Sequence, residues 1–467
     1  MVLSFNFQCE KFMEKSEIKT EIRSIEYKNF HFLMQCVGDY RVLLGFDSSF
    51  SAENKKAFAE NNMKDNVIIN NNIDLPPCEE IGMHAFAATT QPTGAYTRLS
   101  KSEVEFLEPL SYTLPDDLIK IGQFAFEYCK SMNAVIFPLS LKEIDKYAFA
   151  NAGLTEAFIP ENVEKIGECA FAKNRSLKEA YFFANTKMVP ASCFNDCSSL
   201  EKILLSSSVE KIGSMAFSNT AIEHFDCGEY PNLKIIGNNS FNSCDYLTSV
   251  KITKNIKSVE DQAFAYCNML KNLEIEEGIE HMGSSVFALS SIENITIPES
   301  VVSLKGTCTD MQCLTSAVIK SHVHVLPPFF FRNCKRLENL KFGPDLVTFG
   351  TESLSNTGFT SFEFPKTVKS INSRCISGQN LKEIRILNKD VNLQEPRAID
   401  SKTIEIILIP PDKNETLKRW INFNYHDRFD VAKVVKTFSL DTLLDSHASF
   451  RNINRYCTEL NLAKDEK

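Results

Sequence analysis

One pattern of apolar and polar positions recurs through most of the chain. It has the form h-x-x-I-G-x-x-A-F-x-x-C, where h is an apolar residue, and L-x-x-h-x-h follows it. The clear copies are LIKIGQFAFEYC (118–129), VEKIGECAF (163–171) and VEKIGSMAF (209–217), and the weaker ones are IKSVEDQAFAYC (256–267) and IEHMGSSVF (279–287). Self-similarity at a fixed period of about 20–50 residues indicates a solenoid or another repeat architecture.

The Phe of this pattern, which we call the slot residue, marks each repeat. The slot is filled by Phe86, Phe126, Phe149, Phe171, Phe194, Phe217, Phe241, Phe264, Phe287 and Phe331, at spacings of 22–24 residues after Phe126. A degenerate repeat between Phe287 and Phe331 places Thr309 in the slot and Cys308 in the Ala position. Beyond Phe331 the slot passes to Leu354, Ile376 and Ile399. We expect the phenylalanines to fill a continuous core; the slot at Thr309 lacks a phenylalanine.

Each slot is followed by Leu or a similar residue and then by a short strand, as in Leu154–Pro160 and Ile292–Pro298. This is the L-x-x-L-x-L core of a leucine-rich repeat. One such strand cannot bury its apolar face alone, so stacked repeats are expected to form a parallel sheet over a shared core.

The form I-G-x-x-A-F-x-x-C…L-x-x-h-x-I-P resembles the BspA-type leucine-rich repeats over about residues 66–411. The resemblance implies that the sheet lines a concave face and that I-G-x-x-A-F makes a short turn on the convex side. We therefore predict an α/β solenoid, a leucine-rich repeat arc with one long parallel β-sheet on the concave face. Short turns and helical segments are expected on the convex face, with a helical C-terminal cap.

Three regions are predicted along the chain. Residues 1–65 form an N-terminal cap, with Ala57 and Phe58 as a candidate degraded repeat, and residues 66–411 hold about 13–14 repeats. Residues 412–467 form a C-terminal cap whose helix, from Asn414 to Ile421, resembles the Pro…Trp ending of the same family. The stretch 87–103 carries an insertion of loop composition, which we interpret as a surface loop.

Alternation along the strands predicts which side chains face the concave surface. One exposed column begins with an apolar stripe and, further on, carries a charge ladder of alternating sign. The stripe consists of Ile136, Phe158, Tyr181 and Leu204, flanked by Glu156 and Glu179, and the ladder consists of Lys341, Glu363 and Arg385.

Both features could simply be lateral ladders that stabilise strand pairing by about 0.2–1 kcal/mol per pair. We favour that interpretation for the charge ladder. An exposed apolar stripe with an acidic rim is instead typical of a partner site. We hypothesise that the stripe binds a protein or peptide partner carrying an apolar anchor and basic residues.

Charge and composition narrow the classes of function. A net charge of −9 and a pI of about 5.6 argue against a nucleic-acid binder with a basic surface. No stretch reaches the ~18 apolar residues of a transmembrane segment. Because no secretory signal is visible before Glu10 and Lys11, a cytoplasmic location is expected, whereas the family resemblance favours the cell surface as the alternative.

Candidate chemistry is scarce. Of 15 Cys, ten occupy core positions of the repeat, so we interpret them as buried free thiols rather than metal ligands or disulfides. His322 and His324 lie on one side of an extended segment, but no third ligand has a matching spacing, so surface histidines are favoured. No hydrolase, P-loop or dinucleotide motif occurs. We predict no cofactor and no metal site.

The sequence thus predicts a non-enzymatic interaction or adhesion module that binds a macromolecule on the concave sheet. The resemblance to BspA-type proteins implies adhesion or surface-antigen roles for some members, with host matrix proteins as partners. The alternative is an intracellular scaffold of the same fold. A third possibility, an enzyme with its activity in residues 1–55 or 412–467, has no motif to support it.

Overall fold

The computed structural model describes residues 20–27, 30–37, 39–46, 72–87, 111–130, 132–388, 390–394, 398–400, 403–404, 406–409 and 435–437. The chain forms two compact units, Met1–Val209 and Glu210–Lys467. The insertion loop and the predicted helix 414–421 lie outside the described residues. The boundaries of the three predicted regions therefore stay a prediction.

Unit 1 begins with an antiparallel meander of three strands, β1 (Thr20–Tyr27), β2 (Phe30–Val37) and β3 (Tyr40–Phe46). Phe32 and Met34 of β2 and Leu43 of β3 are buried. The last strand pairs in parallel with the short strand β5 (Glu80–Ile81), Leu43 lying opposite Ile81. The meander therefore covers the edge that the first short strand of the solenoid would otherwise expose.

Each repeat forms one coil with a long strand, usually of four residues, and a short strand of two. The long strands of unit 1 are β4 (Asn72–Asp74), β6 (Ser111–Thr113), β9 (Glu156–Ile159), β11 (Glu179–Phe182) and β13 (Lys202–Leu205). Its short strands are β5 (Glu80–Ile81), β7 (Lys120–Ile121), β8 (Glu143–Ile144), β10 (Lys165–Ile166) and β12 (Met188–Val189). Paired coils are parallel and in register, as Phe158 opposite Tyr181 illustrates.

Unit 2 repeats this arrangement. Its long strands are β15 (His224–Asp226), β17 (Ser249–Ile252), β19 (Asn272–Ile275), β21 (Asn294–Ile297), β23 (Ser316–Ile319), β25 (Asn339–Phe342), β27 (Ser361–Phe364), β29 (Glu383–Ile386), β31 (Ile406–Ile409) and β32 (Val435–Thr437). Its short strands are β14 (Lys211–Ile212), β16 (Ile235–Ile236), β18 (Ser258–Val259), β20 (His281–Met282), β22 (Ser303–Leu304), β24 (Val325–Leu326), β26 (Thr348–Phe349), β28 (Ser370–Ile371) and β30 (Asn392–Leu393). The molecule is a β-solenoid of stacked parallel coils.

The predicted helical segments are wrong: the described residues contain one 3₁₀ turn, Cys227–Glu229, and no α-helix. The turn that contains the slot residue, which we call the slot turn, instead alternates between right-handed and left-handed backbone conformations. In the turn around Phe126, φ is positive at Phe124 (58°) and Tyr128 (63°). Because of this alternation, the Phe126 N–H donates to Ala148 O of the next coil at 2.8 Å, whereas Ala125 N–H bonds within its own turn. An α-helix would direct every N–H along its own axis.

The slot residues form the predicted core. The rings of Phe126 and Phe149 stack with centroids 5.2 Å apart, and Phe149 stacks on Phe171 at 5.5 Å. All three rings are fully buried. In the degenerate coil, Cys308 is fully buried as predicted, and Thr309, at the missing slot, is half-exposed. A small apolar thiol suits a site that would leave a threonine hydroxyl without water.

The predicted single long sheet is also wrong, because the long strands pair in groups. Pairing fails between β19 and β21, between β25 and β27, and between residues 132–138 and β9. Within each unit, all other neighbouring long strands from β9 onward pair in parallel. The interruptions follow a change in spacing between the slot residue and the apolar residue that starts the long strand. At each interruption this apolar residue lies six positions after the slot in the first coil and five positions after it in the next, as with Leu270 after Phe264 and Ile292 after Phe287.

Proline accompanies each of these interruptions. Pro160, Pro298 and Pro365 directly follow β9, β21 and β27. In a paired coil the equivalent residue donates its N–H to the preceding strand, as Phe183 does to Ile159 O at 2.9 Å. Proline has no N–H to donate, so it removes that bond.

Candidate functional site

The predicted apolar stripe lies on the outward side of the long strands of unit 1. Phe158, Tyr181 and Leu204 are direct register partners on β9, β11 and β13. Phe158 is 54% exposed, whereas Tyr181 and Leu204 are half-buried. Ile136 is 86% exposed and lies in the unpaired segment 132–138, where exposure still alternates with burial as in a strand.

Phe183 belongs to the same cluster and was not predicted. Its ring centroid lies 5.6 Å from that of Phe158, edge to face, and 6.3 Å from that of Tyr181. The Phe158 and Tyr181 centroids are 6.1 Å apart. The signal was the alternation itself, which continues one step past β11. We call the set Ile136, Phe158, Tyr181, Phe183 and Leu204 the apolar patch.

Two carboxylates border the apolar patch, Glu156 opposite Glu179 on the neighbouring strand. Glu179 accepts a hydrogen bond from the Tyr181 hydroxyl, and Lys202 Nζ lies 3.6 Å from its Oε2. The Tyr181 hydrogen bond lowers the pKa of Glu179, and the same bond raises the pKa of Tyr181. Lys202 Nζ also lies 5.4 Å from the centre of the Tyr181 ring.

The charge ladder of unit 2 is only partly assembled. Arg385 faces Glu363 in register, with Nη1 3.6 Å from Oε2, and its Nε donates to Glu383 Oε1 at 2.7 Å. Lys341, on β25, is separated from Glu363 by the interruption before β27. The arginine is almost fully buried, so this cluster holds neighbouring coils together and offers little surface to a partner.

A shallow groove of about 810 Å³ lies on the outward side of β15, β17, β19 and the start of β21. Its outward side chains are polar, including Asn272, Asn294 and Ser249. Lys251 is paired with Glu274 at 3.2 Å. The groove lacks an exposed apolar anchor, so the apolar patch is the stronger candidate for a partner site.

The cysteines occupy the core. Of the ten predicted core cysteines, nine are buried and Cys129 is half-buried. Several thiols also donate hydrogen bonds, which sequence reasoning missed. The thiol three residues after a slot donates to the slot carbonyl of the preceding coil, as Cys197 Sγ does to Phe171 O at 3.3 Å and Cys244 Sγ to Phe217 O at 3.2 Å.

The two candidate histidines are exposed and pair with oxygen acceptors. His322 lies between Asp345 and Glu299, with Nε2 3.0 Å from Glu299 Oε1, and His324 Nδ1 lies 3.1 Å from Asp345 O. Across the part of the chain that the structure describes, no three His, Cys, Asp or Glu side chains are arranged to hold a metal ion. The same residues include no helix long and apolar enough to cross a lipid bilayer.

Several bacterial proteins of solved structure are similar to this chain. A leucine-rich repeat protein from Bacteroides ovatus aligns with a TM-score of 0.61 and 19% identity, over 91% of this chain and 100% of the other. A leucine-rich cell surface protein from Faecalibacterium prausnitzii gives a TM-score of 0.43 and 16% identity, over 85% and 97%. The pneumococcal vaccine antigen PcpA gives 0.41 and 14%, over 90% and 99%.

At 19% identity, the Bacteroides ovatus structure establishes the fold alone. No curated protein sequence matches the chain. The family model of the BspA-type leucine-rich repeat region does match, in six copies over residues 108–223, 187–310 and 305–426. These matches cover well over half of the sequence and coincide with the described coils that carry the stacked slot residues. The chain is therefore a member of the BspA-type leucine-rich repeat family.

Proposed function

We propose that the protein is an interaction module and that the apolar patch of unit 1 is its docking site for a protein partner. The observation that carries the proposal is the cluster of exposed or half-exposed rings formed by Phe158, Tyr181 and Phe183, with Ile136 86% exposed on the preceding coil. Exposed clusters of this kind are typical of protein-binding surfaces on soluble proteins.

The composition of the patch supports a protein ligand. Aromatic residues are enriched in the cores of protein interfaces, where a few anchors supply most of the binding energy. Phe158, Tyr181 and Phe183 contact one another edge-on or tilted, so their positions are already ordered before binding. Ordered side chains lose less conformational entropy on association. The absence of an enzymatic activity stays a prediction.

The proposal is compatible with a surface adhesin and with an intracellular scaffold. Protease trimming of intact cells separates these two settings, because only a surface-exposed chain is cleaved while the cell envelope is intact. The docking site itself is tested with purified protein, independently of location.

The test is the double variant Phe158→Glu with Tyr181→Glu in an affinity capture from the native source, read by mass spectrometry. Two carboxylates in the patch cannot be buried against an apolar anchor, so we expect the captured partner to be lost. The matched control is Thr296→Glu with Val318→Glu, which changes two register partners in the same column of unit 2. If the folded Phe158/Tyr181 variant retains the wild-type partners, the docking site is elsewhere.

A further inference from the structure

Several lateral ion pairs join neighbouring coils on the surface of unit 1. Three lysine–glutamate pairs join residues 22 positions apart, at 2.5–2.9 Å, and a fourth joins Lys202 to Glu179 on the next strand. The three are Lys142–Glu164, Lys165–Glu143 and Lys146–Glu168. Successive coils therefore place opposite charges beside one another.

Glu156 faces a like charge instead. Its register partner is another carboxylate, Glu179, and the equivalent residue of the preceding coil is Ala134. Glu156 is exposed, and it makes no ion pair with any residue that the structure describes. Like charges directly opposite on paired strands destabilise the sheet. The negative charge at Glu156 is therefore uncompensated by the chain.

Glu179 cannot relieve this imbalance, because its own partners lie on the far side. The Tyr181 hydroxyl and Lys202 both approach its Oε2 atom. Lys202 also approaches the Tyr181 ring, which shows that the aromatic cluster accepts a cation at that end. At the other end, next to Glu156, Phe158 is 54% exposed.

Glu156 and Phe158 are two residues apart on β9 and project to the same side of the sheet. A carboxylate beside an exposed aromatic ring offers a planar cation a hydrogen-bond acceptor and a surface on which to stack. Ile136, 86% exposed on the neighbouring segment, adds apolar surface that can cover a methylene chain.

We propose that Glu156 and Phe158 bind an arginine side chain of the protein partner. This inference rests on the proposed function, since it assigns the chemistry of the partner at the same patch. The guanidinium fork donates two hydrogen bonds to a carboxylate, and its flat face stacks on an aromatic ring. A lysine ammonium is a point charge that lacks the flat fork, so arginine is the preferred residue.

The test uses fluorescein-labelled octapeptides of alternating leucine and arginine, with binding to the full-length protein measured by fluorescence anisotropy at low salt. Two peptides of the same length serve as comparisons, one with citrulline, the neutral isostere, in place of arginine, and one with lysine. We expect the citrulline peptide to bind at least about tenfold more weakly than the arginine peptide, and the lysine peptide to lie between them.

Variants locate the arginine site. Glu156→Gln is expected to weaken binding of the arginine peptide about tenfold and to leave binding of the citrulline peptide unchanged, because the substitution removes only the charge. Phe158→Ala is expected to weaken the binding of both peptides. The matched control is Glu164→Gln, which removes an exposed carboxylate that already pairs with Lys142.

The inference is overturned if arginine and citrulline peptides bind equally, if neither binds, or if Glu156→Gln leaves the arginine peptide unaffected. These outcomes are distinct from failure of the proposed function, which the affinity capture reports separately. If capture of the partner depends on Phe158 and Tyr181 but the peptides show no preference for arginine, the docking site stands and the proposed arginine contact is wrong.

Discussion

At the scale of single residues, the position three after the slot joins neighbouring coils. In five coils a cysteine thiol occupies it and donates to a carbonyl of the preceding coil at 3.0–3.3 Å; these are Cys129, Cys197, Cys244, Cys267 and Cys334. A buried carbonyl without a donor carries a free-energy penalty. These cysteines therefore serve as hydrogen-bond donors as well as small apolar side chains.

Asn174 occupies the same position in its coil, and its side chain makes four hydrogen bonds to the backbone. Its Nδ2 donates to Phe149 O and Phe171 O, both at 2.8 Å. Its Oδ1 accepts from Ala152 N at 3.0 Å and from Leu154 N at 3.1 Å. The side chain is fully buried, so every polar group of the amide is used without water.

We predict that Asn174→Ala destabilises the protein by about 3 kcal/mol or more, because it leaves buried N–H and carbonyl groups unpaired at roughly 1–3 kcal/mol each. Asn174→Cys should be intermediate, since a thiol can restore the bond to Phe149 O but accepts poorly from two N–H groups. Urea unfolding measures both. Equal stability of the wild type and Asn174→Ala would show that the amide contributes nothing.

At the scale of elements, the residue three after the slot also differs between coils with the six-residue spacing and coils with the five-residue spacing. In the coils that follow each interruption of the long-strand pairing, the position holds Ala152, Ser290 or Thr357 instead of cysteine or asparagine. This coil has one residue fewer between the slot and the long strand than the coil before it. Its long strand therefore does not align with the preceding one for pairing. The spacing was visible in the sequence, but its effect on pairing depends on the neighbouring coil.

A second inter-coil feature joins the turns after β21, β23 and β25. His322 contacts a carboxylate of the coil on each side, Asp345 and Glu299. The hydrogen bond with Asp345, followed by that with Glu299, raises the pKa of His322 above its ordinary value of 6.5. The protonated imidazole therefore bridges three coils.

Because the pKa of His322 is raised on folding, its stabilising contribution is complete below the unfolded-state pKa and disappears as pH rises through the folded-state pKa. We predict that His322→Gln lowers the melting temperature at about pH 6 and leaves it unchanged at about pH 9. His281→Gln, a change of an exposed histidine on a short strand, is the control. A pH-independent effect of His322→Gln would contradict the assigned charge.

At the scale of the whole molecule, both units use one core chemistry. Phenylalanines stack from coil to coil in each, for example Phe126 on Phe149 at 5.2 Å and Phe241 on Phe264 at 5.3 Å. Buried thiols line the same cores. Burial raises the pKa of the Cys244 thiol to about 11 and that of Cys197 to about 12, so both stay protonated near neutral pH.

We predict that alkylation of the native protein at about pH 8 spares the buried thiols, because the reactive thiolate is scarce and the sulfur is inaccessible. Cys169 and Cys313, which are half-buried, should react before Cys197 and Cys244. Isotope-coded iodoacetamide with peptide mass spectrometry, in the presence and absence of urea, measures the order. Native alkylation of Cys244 as fast as in urea would contradict the burial.

The sequence by itself determined the repeat, its period and the residues that fill the core, because burial of Phe and Leu is dictated within each coil. It also identified the aromatic residues Phe158 and Tyr181 as outward-facing, since alternation along a strand is local. Only the tertiary structure decided that the slot turn is not helical and that the sheet is interrupted. It also placed Phe183 in the patch and left Glu156 without a cation. The interruptions of the sheet and the isolation of Glu156 depend on the spacing and side chains of the neighbouring coil, so no single repeat contains the information that sets them. The turn is set by backbone φ within each coil, and Phe183 joins the patch through ring contacts with Phe158 and Tyr181.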